Sequence, residues 1–173
     1  EPLLQAFQKE GITYKGIVYA GLMITKTGDI SIVEFNVRFG DPETQVVLPL
    51  LKTDLLTIFE AIETETLANI SLEWSTESAV CVVLASGGYP NAYQKGKPIS
   101  GLTQEKENTA IIHAGTKQDN GNIVTSGGRV LGIVSKASQL DSAITQAYET
   151  TTNISFENMI YRTDIGQKAK RYQ

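Results

Sequence analysis

The stretch Glu34–Gln45, EFNVRFGDPETQ, holds the densest set of residues able to do chemistry. Glu34 offers a carboxylate, and Asn36, two positions on, an amide carbonyl. On a strand, side chains two apart point to the same face, so both oxygens reach one hard cation. Mg²⁺ takes one or two protein oxygens and leaves its other positions to phosphates and water. Arg38 follows, with a planar fork of donors suited to phosphate or carboxylate. Asp41-Pro42-Glu43-Thr44 reads as a helix start, with Asp41 at the N-cap and Pro42 at N1. Singly, each has a plainer reading: strand-end polar residues, a solvated charge, a cap. Together they put two ligand types, one Arg and two further acids into ten residues.

A second candidate is Gly127-Gly128-Arg129. Two glycines allow a backbone to approach an anion closely, and Arg129 adds donors. The plainer reading is a β-bulge with a surface Arg. His113 is the only histidine. It lies on an apolar strand, IIHAGT, with no nucleophile motif beside it, and reads as a satisfied core or interface residue.

The positioning elements follow from pattern. Gly16–Thr25 reads as a strand, Lys26–Asp29 as a turn that uses Gly28, and Ile30–Asn36 as the return strand. Ile30, Ile32, Glu34 and Asn36 share a face, the first two over a core. Glu1–Glu10 has helical periodicity, with Leu3, Leu4 and Phe7 on one side. After Asp41, the residues Val46, Val47, Leu50 and Leu51 continue a helical apolar face that Pro49 ends or kinks. Thr53 or Asp54 caps a further helix with Leu55, Leu56, Phe59 and Ile62 inward, running to about Leu67. Asn69–Glu77 is polar around Trp74 and marks a boundary, giving domains at 1–70 and 71–173.

Beyond it the pattern is β. Ala79–Ser86 reads as a buried strand ended by Gly87-Gly88-Tyr89-Pro90. Ile99–Leu102 and Ala110–Ala114 read as short strands, and Asn120-Gly121 as the turn of a hairpin. Arg129–Lys136 is another strand, and Ser138 or Asp141 caps a helix with Leu140, Ile144, Ala147 and Tyr148 inward. Ile154–Ile165 is mixed, and the basic run Lys168–Arg171 reads as a solvated tail.

Composition narrows the class. The chain has 173 residues, 41% hydrophobic and 20% charged, as a soluble globular protein would. A net charge of −4 argues against nucleic-acid binding, which needs a basic face. No apolar run approaches a membrane span. The lone Cys81 excludes an intramolecular disulfide, reads as a small buried core residue, and suits a reducing cytoplasm. Oligomeric state is not legible.

In the order YKGIVYAGLM (Tyr14–Met23), EFNVRFGDPETQ, LASGGYP (Leu84–Pro90), HAGT (His113–Thr116) and SGGRVL (Ser126–Leu131), the chain resembles the phosphoribosylamine–glycine ligase family of the ATP-grasp superfamily. The resemblance implies an α+β fold: the C-terminal part of an ATP-grasp domain, then a small β-rich domain with one or two helices. It implies metal ligation by Glu34 and Asn36, with Mg²⁺ or Mn²⁺, and ATP as co-substrate. The further acid that the superfamily often places on the preceding strand is missing, since that region is Gly21-Leu22-Met23. Arg38 would stabilise the transferred phosphoryl, Asp41 and Glu43 would orient substrates, and Gly128 and Arg129 would close the site. The substrates implied are ATP, glycine and 5-phosphoribosylamine, the setting cytoplasmic purine synthesis.

A helix already under way at Glu1, and the absence of a glycine-rich phosphate loop, lead to the expectation of a fragment that is inactive alone. Two alternatives stand beside this reading. One is another ATP-grasp carboxylate–amine ligase, from which RFGDPETQ would discriminate. The other is a non-catalytic binding or oligomerisation module.

Overall fold

The computed structural model describes residues 2–103 and 106–169. In chain order its elements are α1 (Pro2–Lys9), β1 (Tyr19–Ile24), β2 (Ile30–Asn36), α2 (Thr44–Val47), α3 (Leu55–Glu63), β3 (Ser78–Ser86), β4 (Thr109–His113), β5 (Thr116–Asp119), β6 (Asn122–Thr125), β7 (Arg129–Ala137), α4 (Leu140–Thr152) and β8 (Met159–Ile160). Short 3₁₀ turns cover Leu48–Leu50 and Leu67–Asn69. The chain falls into two compact units, Glu1–Asp41 with Lys52–Glu73, and Pro42–Leu51 with Trp74–Gln173.

In the first unit β1 and β2 form an antiparallel hairpin. Its turn is the expected one: Gly28 takes φ 88°, and Thr25 N–H bonds Asp29 O at 3.0 Å. The Asp29 carboxylate accepts from Thr27 Oγ1 at 2.6 Å and stiffens the reversal. The first strand starts at Tyr19, later than the sequence indicates. Before it the Tyr14 hydroxyl takes over, donating to Ile17 O and Val37 O, so this segment is held by a side chain and not by a ladder. The expected core over Ile30 and Ile32 is not there: they are 65% and 59% exposed. Nor do they share a face with Glu34 and Asn36: β2 bulges at Val33, so Glu34 pairs with Gly21 while Ile32 pairs with its neighbour Leu22, and the alternation changes side there.

Helix α3 begins as the sequence indicates. Asp54 Oδ1 accepts the Thr57 N–H at 2.9 Å, satisfying one of the orphan donors of the first turn. Its inward stripe is rotated from the expected one. Ile58 and Ala61 are buried, while Leu56 and Phe59 face out. The helix stops at Glu63, short of Leu67, because Glu65 turns left-handed at φ 60°. Glu65 N–H then bonds Ile62 O, and Thr66 N–H bonds Ala61 O, a Schellman closure without its usual glycine. Lys15 Nζ reaches the same end, donating to Glu63 O at 3.0 Å and pairing with Glu65.

The second unit is built on a four-stranded antiparallel sheet in the order β4-β7-β3-β8. Strand alternation divides β3. Val80, Val82 and Leu84 point into the core with Leu131 and Ile133 of β7, against Ala143, Ile144 and Ala147 of α4. A fully buried Leu or Ile of this kind contributes about 2 kcal/mol through the area removed from water. Cys81 and Val83 point to the opposite face, so Cys81 is half-buried and not a core residue. On that face Gln45 of α2 lies over Gly132 of β7.

Three expectations are corrected here. Asp41 is not the cap of α2: Glu43 stands at the N-cap position, itself helical and without a side-chain cap bond. Pro49 does convert the helix, to 3₁₀ at Leu48–Leu50. Ile99–Leu102 is no strand. Pro98 and Ser100 make single bridges to Val124 and Ser155, between positive-φ glycines at 96 and 101. Helix α4 is entered through Gln139 without a side-chain cap, with Asp141 inside its first turn. The β5–β6 hairpin turns on Asn120 and Gly121, at φ 47° and 82°, as the dipeptide indicates. Of the basic run, Lys168 is exposed, whereas Lys170 and Arg171 lie outside the described residues.

Candidate functional site

In the first unit the hairpin brings Glu34 and Asn36 together. Both sit at the end of β2, Glu34 paired with Gly21 and Asn36 with Tyr19. Asn36 Nδ2 donates to Glu34 Oε1 at 3.0 Å. Gly21 has a direct part in this. A Cβ there would lie 3.3 Å from Glu34 Cγ, so the missing side chain leaves the carboxylate room across β1. A half-turn of the Asn36 amide puts its oxygen where the nitrogen is. Adjacent ligand oxygens on an octahedral Mg²⁺ stand about 3.0 Å apart, given metal–oxygen distances of about 2.1 Å. The observed spacing fits that edge. Among the described residues no group of three or more His, Cys, Asp or Glu is arranged for a metal. Two oxygen donors of this kind suit a cation whose remaining positions are filled by phosphates and water.

The strand ends at Asn36 and the chain bends, so alternation does not carry through to Arg38. The guanidinium is exposed, and Nη1 donates to Phe39 O at 2.7 Å. Asp41 is exposed on the segment that follows.

In the second unit Glu43 is half-buried at the start of α2. The Gly127-Gly128-Arg129 loop is held from two sides. Gly115 O accepts the N–H groups of Ser126 and Gly127, and Gly115 N–H returns a bond to Arg129 O. A Cβ on Gly115 would stand 2.4 Å from Arg129 O and 2.6 Å from Gly127 Cα, so this crossing needs glycine. From the other side, Ser86 N–H bonds Gly128 O at 2.8 Å and Ser86 Oγ donates to Gly127 O at 2.9 Å. The Tyr89 ring lies against Gly128, where a Cβ would come within 2.1 Å of it. The two glycines thus serve close packing within the protein.

Arg129 opens β7 beside a β-bulge opposite Leu84/Ala85. It is half-buried and lines a cavity of 430 Å³ together with Pro42, Tyr89 and Arg162, with Cys81 and Val83 of β3 among the apolar lining. Arg162 is engaged by Asp164 through Nε at 2.8 Å and Nη2 at 2.6 Å. Hydrogen bonding to the guanidinium holds the Asp164 carboxyl below its ordinary value. His113 is exposed, not a core residue. Its Nδ1 is 3.0 Å from Thr116 Oγ1. Sequence reasoning missed Ser86 and Tyr89 as supports of the loop, because Ser86 and Gly127 are 41 positions apart. It also missed Arg162 and Asp164. The LASGGYP run was the one available signal.

Comparison with known proteins matches two stretches of the chain to one synthetase. The family described as phosphoribosylglycinamide synthetase, C domain, matches residues 79–168, and the ATP-grasp (A) domain of the same synthetase matches residues 1–44. A phosphoribosylamine–glycine ligase of Caldanaerobacter subterraneus subsp. tengcongensis is 53% identical over 95% of this chain, which spans 39% of that relative. The crystal structure of phosphoribosylamine–glycine ligase from Thermotoga maritima superposes with a TM-score of 0.76 at 38% identity, over 93% of this chain and 39% of that one. The biotin carboxylase domain of Hydrogenobacter thermophilus 2-oxoglutarate carboxylase shares the fold alone, with a TM-score of 0.60 at 11% identity, over 92% of this chain and 35% of that one. The chain thus spans about two fifths of the length of these relatives, and with the C-domain match covering more than half of its residues it belongs to the phosphoribosylglycinamide synthetase family.

Proposed function

We propose that this chain is the C-terminal part of a phosphoribosylamine–glycine ligase, acting in the cytoplasm in purine synthesis. In this reading residues 1–70 end the ATP-grasp domain and 71–173 form the small domain. The whole enzyme joins glycine to 5-phosphoribosylamine and converts ATP to ADP and phosphate. A carboxylate is a poor electrophile. ATP therefore phosphorylates glycine to an acyl phosphate, and the amine of phosphoribosylamine displaces phosphate from its carbonyl carbon. Glu34 and Asn36 would hold Mg²⁺ or Mn²⁺. When bound, the cation neutralises charge on the nucleotide phosphates. Arg38 stabilises the phosphoryl in transit once its fork leaves the Phe39 carbonyl. Asp41 and Glu43 orient the amine-bearing substrates. Arg129, delivered by the Gly128 loop, contacts substrate from the small domain.

The observation that carries the reading is the Glu34–Asn36 pair at 3.0 Å inside the EFNVRFGDPETQ run. The test is ADP release by the full-length enzyme with glycine, phosphoribosylamine and Mg²⁺. Release that needs both substrates supports the proposal. Release with another carboxylate–amine pair, and none with this one, overturns it.

A further inference from the structure

Arg129 owes its position to contacts that the reaction itself does not require. The peptide units leading into it are held on one side by Gly115 and on the other by one buried residue. Ser86, 4% exposed, holds Gly128 O through its N–H and Gly127 O through its hydroxyl. Ser86 O in turn accepts the Tyr89 N–H at 3.1 Å, which brings the Tyr89 ring down onto Gly128. Tyr89 is braced by Tyr93, ring centroids 6.1 Å apart at 65°. Both Tyr89 and Arg129 line the 430 Å³ cavity. Loss of either support loosens the two-glycine segment directly before Arg129, leaving it to the backbone bonds of Gly115 and Ser86.

We infer that Ser86 and Tyr89 are positioning residues for Arg129: the hydroxyl and N–H of Ser86 and the ring of Tyr89 fix the Gly127-Gly128 backbone and so aim the guanidinium. This rests on the reading of Arg129 as a substrate contact. Misplacing such a group by about 1 Å costs on the order of a hundredfold in rate, and partial loosening costs less.

The test is a double-mutant cycle in the full-length ligase, reading kcat and KM for each substrate. Ser86→Ala should lower kcat/KM for phosphoribosylamine about tenfold, with KM for ATP unchanged. In an Arg129→Ala background the same change should cost less than about twofold, because its effect passes through Arg129. Equal losses in both backgrounds overturn the inference and leave the substrate role of Arg129 standing. Near-wild-type kinetics in Arg129→Ala overturn that role, and the inference with it. Tyr89 is at the surface and gives a second route should Ser86→Ala not fold. Tyr89→Leu should act as Ser86→Ala does, and Tyr89→Phe, which keeps the ring, should retain activity. Equal loss in Tyr89→Phe overturns the part assigned to the ring.

Discussion

Asn36 donates to Glu34 across 3.0 Å at the open end of β2, with Gly21 opposite. The glutamate leans over β1 because Gly21 has no side chain to exclude it. Two oxygen-bearing groups are thereby gathered at one strand end.

Arg38 separates charge chemistry from scaffolding. Lys keeps the charge but loses the planar fork. Arg38→Lys in the full-length enzyme should lower kcat on the order of a hundredfold, with little change in KM for ATP or in melting temperature. An Arg38 that only holds the Phe39 carbonyl at the surface would give near-wild-type turnover instead. Steady-state kinetics beside a thermal melt decide between the two.

The isolated 173-residue chain should bind ATP·Mg²⁺ weakly or not at all, since a pair of oxygen ligands cannot hold a nucleotide by itself. Calorimetry with the chain alone checks this. Tight one-to-one binding would contradict it.

Asp54→Ala should cost about 1 kcal/mol of stability, because Asp54 Oδ1 holds both the Thr57 N–H and the Thr57 hydroxyl at the start of α3. Asp54→Asn, which retains an acceptor, should lose less. Denaturant melts of the three proteins measure the difference.

Gly115→Ala should be far costlier, about 3 kcal/mol or more, because the new methyl meets the Arg129 carbonyl and the Gly127 backbone, and neither can move without breaking the pairing of β7. Gly96→Ala is the control. Its Cβ meets nothing within 4 Å, leaving only the strain of φ 79°. A Gly115→Ala melt equal to that of the control would show that the crossing is loose.

What was legible in the sequence was local. Gly28 and Asn120-Gly121 name their turns because few residues accept a positive φ, and Asp54 names its helix start through a donor three residues on. The β3 and β7 strands were legible from apolar runs. Simple alternation put Ile30 and Glu34 on one face, but the bulge at Val33 separates them, and no local pattern marks where a strand takes in an extra residue. Asp41 looked like a cap because Asp-Pro is a common helix start, yet Glu43 occupies that position. Of the site, the Glu34–Asn36 pair followed from period-two spacing. The Ser86–Gly127 bond joins residues 41 apart, and no local pattern encodes it.

The claim on which the rest depends is that Glu34 and Asn36 hold a divalent cation against nucleotide phosphates. Calorimetric titration of the full-length enzyme with Mn²⁺·ATP, for wild type, Glu34→Gln and Asn36→Ala, measures it directly. The account predicts folded variants with unchanged melts and an affinity for Mn²⁺·ATP reduced at least about tenfold, the scale on which loss of one charged contact acts. Unchanged Mn²⁺·ATP affinity in both variants would contradict it.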